Sequence, residues 1–434
     1  MFRSRIFLLA ILFLGAATTA RALDEEPPNE LPTDLSTLGH EPDWNQLDQY
    51  QGTLTHDEFA HLLHDVYCPH GVSAELIDLR PDEVRILKSH EVHDYLRLHF
   101  AKTDADRLPL PRNWTPPSSL GAPAAGKPLS GFRIALDPGH LGGRWAKMEE
   151  RWFKIGKAAP VQEGDLTLRV AQMLVPRLQS LGAEVSLVRA SDEPVTPYRP
   201  SDFREIALQL LRHAGIAKPA EDFHGPADPE KEKSVRWQEE LMFYRNSEIR
   251  RRADLVNYSL QPDLVLCLHF NAEQWGDPAK PKLVDKNHLH LLVNGSYLPL
   301  EVELDDERFE MMRKLLSRSF PEEVDLADSL GLTMAKTTGL PPYHYKTPNV
   351  TPVGKSGYVY ARNLMATRLY RCPTVYLEPY VMNSHEVFAR VEAGDYDGTR
   401  KIAGKKRSSI FREYTNGVVD GLLAYFKTAR PQTR

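Results

Sequence analysis

Three apolar runs in this chain stop abruptly on a reactive side chain, and that recurrence constrains the fold more than any other feature. Phe132 to His140 reads FRIALDPGH. The alternating run is a buried strand, and Asp-Pro-Gly ends it, because proline has no N–H and glycine tolerates positive φ. His140 is then left projecting from the strand's C-terminal end. Asp263 to Asn271 (DLVLCLHFN) repeats the design and delivers His269, and Thr374 to Glu378 (TVYLE) delivers Glu378 just before Pro379. In open α/β sheets that end of the strands is where ligands bind. A fourth polar residue, Glu163 in QEGDLTLRVAQML, stands where apolar residues begin to recur at helical spacing (Leu166, Val170, Met173, Leu174), so its carboxylate sits at a helix start.

The strand FRIALD, the helical stretch LTLRVAQMLVPRLQSLG and the strand AEVSLVRA make a βαβ unit, with Gly182 as the helix C-cap. A right-handed crossover makes its two strands parallel. The expected fold is therefore α/β: a mixed, mostly parallel sheet with helices on both faces, preceded by a small α+β N-terminal region. The expected organisation is a signal peptide over 1–22, an N-terminal extension over 23–103 holding the α+β unit, a Pro/Gly-rich linker over 104–130, and a catalytic domain over 131–428 with an insertion at 194–248. This last segment reads equally as a lid and as peripheral decoration.

Two imidazoles and one carboxylate are three protein ligands, the number a catalytic zinc takes while keeping a fourth position for water. A further glutamate within reach of that water completes a kit for metal-assisted hydrolysis. A single strand-end histidine is more often a packing residue. Two of them, accompanied by Glu163 and Glu378 in ordered strand contexts, reverse that weighting. His140, Glu163 and His269 are the expected metal ligands and Glu378 the expected general base. From chemistry alone the reading stops at a zinc hydrolase of an amide or related bond.

These residues resemble the zinc-dependent N-acetylmuramoyl-L-alanine amidases of the cell-wall hydrolase type. DPGH (137–140), EGDLTL (163–168), RADLVN (252–257), LHFNA (268–272) and VYLEPYVMN (375–383) follow the family's motifs in order, over roughly residues 130–427. The resemblance implies a phosphorylase/hydrolase-like sheet, a Zn²⁺ cofactor, peptidoglycan as substrate, and cleavage of the amide between the muramic acid lactyl group and the first alanine of the stem. It also leaves room for an activator protein as partner. Arg252, Asn271 and Asn383 match the pattern too, with a loop-fixing role expected, and Asp137 is a candidate acceptor for an imidazole N–H. Two segments depart from the pattern. The stretch between His140 and Glu163 is long and carries RWAKMEERWFKIG, which keeps Glu149 and Glu150 open as alternative carboxylate ligands; the other departure is the 194–248 insertion.

The opening MFRSRIFLLAILFLGAATTARA has a basic start, an apolar run and a small-x-small cleavage signal, the pattern of an exported chain. Its apolar stretch is shorter than the ~20 residues of a spanning helix, so no permanent membrane anchor is expected, and the product should be periplasmic or secreted. Cleavage after Ala22 removes Arg3, Arg5 and Arg21 and takes the formal charge from -5 to -8. Nothing in that balance, nor in the short KKR at 405–407, suits nucleic acid. Cys68, Cys267 and Cys372 are not spaced as a thiolate zinc site, and Cys267 reads as a core residue. Residues 23–43 read as a flexible or loosely docked lead-in, His288 and His290 as a pair on a polar strand face, and Pro321 as the break between two helices over 306–319 and 324–338. The aromatic, prolyl segment before Glu378, including His344, reads as a loop able to line a substrate groove. Two other functions remain beside the amidase: an inactive peptidoglycan-binding protein, and a zinc peptidase of other specificity.

Overall fold

The computed structural model describes residues 34–90 and 92–431, and the expected signal peptide lies outside them. At the N-terminal end, Thr55 caps the helix His56–His61, its hydroxyl accepting from the Glu58 N–H at 3.4 Å. Three short strands follow, β1 (Ile77–Leu79), β2 (Glu83–Ser89) and β3 (Asp94–His99), antiparallel in the order β1-β2-β3. Their apolar side does not close on itself. Leu63, Val66, Leu76 and Ile86 share one cluster with Met311, Met312 and Leu315 of the helix Asp305–Leu316. Each large side chain buried there contributes about 1.5–3 kcal/mol, so neither partner is self-sufficient on that face.

Where it is described, the lead-in is docked. Ser36 donates through its backbone N–H and its hydroxyl to Asp306, at 2.8 and 2.6 Å, and Leu38 is buried against Phe203 and Phe243 of the 194–248 insertion. A polar segment without apolar periodicity is thus docked by hydrogen bonds, to Arg250 and Asn246 as well as Asp306, and by one apolar anchor. The 104–130 segment hugs the surface. Trp114 is buried, the Arg112 guanidinium stacks on its ring at 4.3 Å, and the Thr115 N–H donates to Asp263.

The large sheet is built from β4 (Arg133–Pro138), β7 (Glu184–Leu187), β8 (Leu264–Leu268), β9 (Leu289–Val293), β10 (Thr351–Pro352), β11 (Val359–Ala361) and β12 (Thr374–Pro379). A separate hairpin, β5 (Trp152–Phe153) with β6 (Val161–Gln162), lies in the loop after His140. The sheet order is β10-β11-β9-β12-β8-β4-β7. From β7 through β12 the pairings are parallel, β9 runs antiparallel to β12, and β11 is parallel to β9. Side chains alternate as the period of two requires. Ile134, Leu136, Leu264, Leu266, Val375 and Leu377 pack on one face against the helices Glu163–Ser180, Ser319–Thr338 and Ile410–Ala429. Ala135, Val265, Cys267, Leu292 and Tyr376 pack on the other against Ala253 and Val256 of the helical run 235–260. The expected α/β sheet with helices on both faces is what forms. The helix Glu163–Ser180 ends as expected: Gly182 has φ +97°, and the Ala183 N–H reaches back to the Leu178 carbonyl.

Pro321 does not break the chain where expected. It lies in the first turn of Ser319–Thr338, where its missing N–H has no intrahelical partner to lose, and the break falls at Arg318, whose φ is +53°. All three cysteines are buried and free, Cys267 inside β8. Among the described residues, no helix is long and apolar enough to cross a membrane.

Candidate metal centre

The DPG turn sends His140 away from the strand in a left-handed conformation, φ +57°, a state that costs a non-glycine residue about 1–3 kcal/mol. Gly139 makes room for what faces it, since a Cβ there would lie 2.2 Å from the His269 ring. The backbone is also clamped. Arg252, fully inside the protein, donates to Asp137 Oδ1 at 2.9 Å, to the Pro138 carbonyl at 2.9 Å and to the His140 carbonyl at 3.4 Å, and its Nε donates to Glu248 at 2.8 Å. Tyr370 donates to the other Asp137 oxygen at 2.6 Å. Asp137 was expected to hold an imidazole. It is instead consumed by Arg252 and Tyr370, because the strand end turns the carboxylate inward.

The imidazole partner is Glu149. Its Oε2 lies 3.0 Å from His140 Nδ1 and also accepts the Leu141 N–H. On the far side of the ring, Arg151 Nε donates to His140 Nε2 at 3.3 Å. A donor facing Nε2 and an acceptor facing Nδ1 fix the Nδ1–H tautomer, which leaves the Nε2 lone pair turned toward Glu163. Burial holds the His140 imidazole down to about 3, with the Glu163 carboxylate opposing that shift. Glu163, the first residue of its helix, is buried; its Oε2 lies 3.4 Å from His140 Nε2, while Oε1 accepts from the Phe270 N–H and faces His269 Nδ1 at 3.1 Å. His269 stacks on Tyr376 with ring centres 4.8 Å apart.

His140, Glu163 and His269 each offer one ligand atom within 4.8 Å of the other two, the only such group of three among the described residues. Tetrahedral zinc with bonds of about 2.0–2.2 Å separates its ligands by about 3.3–3.6 Å, and the 3.4 Å between His140 and Glu163 already matches. The donor set suits zinc, with neutral imidazole nitrogen and carboxylate oxygen. Glu149 faces the wrong ring nitrogen to join that set, and Glu150 is turned away in an ion pair with Lys231 at 2.8 Å.

Glu378 stands beside this group. His269 continues β8 past Leu268, which is paired with Leu377, and the His269 N–H donates to the Leu377 carbonyl at 3.0 Å. Burial raises the Glu378 carboxyl to about 7, while the His269 imidazole opposes the shift. Asn383 ties down the adjacent loop, accepting from the Glu273 N–H at 3.0 Å and donating to the Lys282 carbonyl at 3.1 Å. The insertion packs against the loop that carries Glu149 and Arg151, through Lys231 on Glu150 and Phe243 on Trp145, and Glu248 closes its two ends by accepting the N–H groups of Val195 and Thr196.

His288 and His290 depart from the polar-face reading. Both are buried, under Tyr343, whose ring centre is 4.5 and 5.2 Å from theirs. Alternation gave their common face correctly; the covering loop was not readable from strand periodicity. His344 in the same loop is exposed. Sequence reasoning left Glu149 open only as an alternative ligand and gave Arg151 no role, so it missed the contacts both make with His140. Their only signal was the unusual length of the segment between His140 and Glu163.

No family model matches the chain, and no curated protein matches it. Solved structures similar to it include the N-acetylmuramyl-L-alanine amidase Ami1 from Mycobacterium smegmatis, 16% identical, covering 69% of this chain and 99% of its own, with a TM-score of 0.37. The CwlD amidase from Clostridioides difficile, solved in complex with the GerS lipoprotein, is 12% identical over 68% of this chain and 98% of its own, with a TM-score of 0.37. The catalytic domain of CwlV, an amidase from Bacillus (Paenibacillus) polymyxa, is 14% identical over 68% and 98%, with a TM-score of 0.34.

Proposed function

We propose that this chain is a zinc-dependent N-acetylmuramoyl-L-alanine amidase, exported by the signal over 1–22 and acting on peptidoglycan outside the cytoplasmic membrane, with an activator protein as a candidate partner. The observation that carries the reading is the convergence of His140, Glu163 and His269, from three distant segments, beside Glu378. The ordered motifs around those four residues support the choice of bond.

In this reading His140, Glu163 and His269 hold the metal. Zinc bound there supplies Lewis acidity toward a carbonyl oxygen and toward water. Glu149 keeps the His140 lone pair aimed, and Arg252 and Tyr370 hold the turn that presents it. Glu378 takes a proton from the attacking water on its carboxylate and delivers it to the departing alanine amine. Its buried position, which favours the protonated form, suits the second half of that transfer. The half-exposed Arg151, which contacts both His140 Nε2 and Glu163, would have to give up those contacts for the two residues to hold a metal.

Purified peptidoglycan incubated with the zinc-loaded protein should release intact stem peptides carrying new L-alanine amino termini. Peptides cut internally would instead indicate a zinc peptidase. Tight binding with nothing released would indicate a catalytically inactive binding protein.

A further inference from the structure

His269, Glu378 and His290 stand in one row across β8, β12 and β9. Glu378 and His290 are direct register partners on antiparallel strands, so their side chains share a face with Cβ atoms about 4.5–5.5 Å apart. The far end of this row carries a hydrogen-bond chain that contributes no metal ligand. Asn271 Oδ1 accepts from the Ala272 N–H at 2.6 Å, which leaves the amino end of that amide facing His290 Nδ1 at 3.4 Å. Nδ1 is therefore the acceptor and Nε2 carries the proton. That proton points at Tyr345 Oη, 2.8 Å away. Arg362 lies over the same ring, its guanidinium carbon 5.9 Å from the ring centre. A phenol oxygen that accepts from His290 turns its own O–H away from that imidazole, and burial keeps the phenol protonated by raising it above its ordinary value. Tyr345 and Arg362 are both half-buried, and Arg362 Nε is shielded from solvent without a hydrogen-bond partner among the described residues.

We propose that Tyr345 and Arg362 form a carboxylate-binding subsite of the substrate groove, with Tyr345 set by the Asn271–His290 relay. A guanidinium beside an outward O–H is a donor pair matched to an anionic oxygen and poorly matched to a neutral sugar face. Adjacent strands are about 4.8 Å apart, so His290, which holds Tyr345, lies about 10 Å from His269, with Glu378 between them. An extended peptide covers that distance in about three residues. The ligand class is an acidic branch of the stem peptide, two or three residues from the scissile amide. This inference rests on the amidase reading and specifies which part of the substrate the site recognises.

The test compares soluble muropeptides whose stem carboxylates are free with the same compounds amidated, using wild type, Tyr345→Phe and Arg362→Gln, together with ¹⁵N NMR of histidine-labelled protein. Wild type should favour the free carboxylate. Each variant should raise KM for it about tenfold or more, leave kcat within about twofold, and erase the preference. His290 should be the Nε2–H tautomer in wild type and in Tyr345→Phe, which also reports that the fold around the relay is intact. Equal KM for the two substrates in wild type, an unchanged KM in both variants, or an Nδ1–H tautomer overturns the subsite and leaves the amidase reading standing. A wild-type protein that cleaves no muramoyl amide overturns that reading, and the subsite falls with it.

Discussion

Glu149 and His140 are joined by a 3.0 Å contact through Nδ1, and the same carboxylate oxygen also takes the Leu141 N–H. One atom therefore fixes both the imidazole and the backbone immediately after it. Replacing Glu149 with Gln keeps the shape and exchanges an anionic acceptor for a neutral amide. Outer partners of this kind set metal affinity within about 10–100-fold. Glu149→Gln should weaken zinc binding by that factor in chelator competition while the far-UV spectrum is unchanged. An unaltered affinity would reduce Glu149 to a packing role.

The roles given to His269 and Glu378 separate experimentally. His269→Ala removes one of three ligands, so the purified protein should lose bound zinc by elemental analysis, and hydrolysis with it. Glu378→Gln should keep its zinc and lose about 10²–10⁴ in kcat, the usual share of a positioned acid–base group. Zinc lost in Glu378→Gln would move that residue into the ligand set.

What could be read from the sequence was whatever a strand or helix carries locally. His140, His269 and Glu378 were visible because each stands at the end of an apolar run, and Glu163 because a helical period starts on it. The sheet followed from the same runs. What stayed hidden depends on chain segments that meet only after folding. Tyr343 and Tyr345 come from a loop without periodicity and reach His288 and His290, more than fifty positions back. Ser36 finds Asp306 across 270 positions. Asp137 was read for the wrong partner because Arg252, over a hundred positions away, has no local pattern that aims it at the DPG turn.

The clamp on that turn predicts a stability effect distinct from catalysis. Tyr370 O–H and Asp137 Oδ2 are both shut off from water, so Tyr370→Phe leaves a buried acceptor one donor short, at a cost of about 1–3 kcal/mol. Arg252→Met strips Asp137 and Glu248 together and should cost about 3–5 kcal/mol, as breaking buried ion pairs does. Urea denaturation of the metal-free proteins should give that ranking, with Arg252→Met the larger loss. The reverse ranking would mean that water replaces the guanidinium.

The N-terminal unit gives the last prediction. Its helix and small sheet bury Leu63, Val66 and Ile86 against Met311, Met312 and Leu315, and Ser36 reaches further along the same helix to Asp306. Removing residues 1–103 would uncover most of that helix face, leaving Leu110, Tyr297, Val302 and Phe320 as its neighbours in the cluster among the described residues. Burial at about 25 cal/mol per Å² makes such a patch costly to leave wet, and patches of this kind drive association. The truncated chain should therefore be recovered aggregated or with a sharply lowered unfolding temperature. Met312→Ala in the intact chain should cost about 2–5 kcal/mol, the range for emptying a buried methionine site. A truncated protein that stays monomeric in analytical ultracentrifugation and unfolds at the full-length temperature would show that the shared cluster contributes nothing to stability. The N-terminal unit would then be an appended module whose contacts with the helix are incidental.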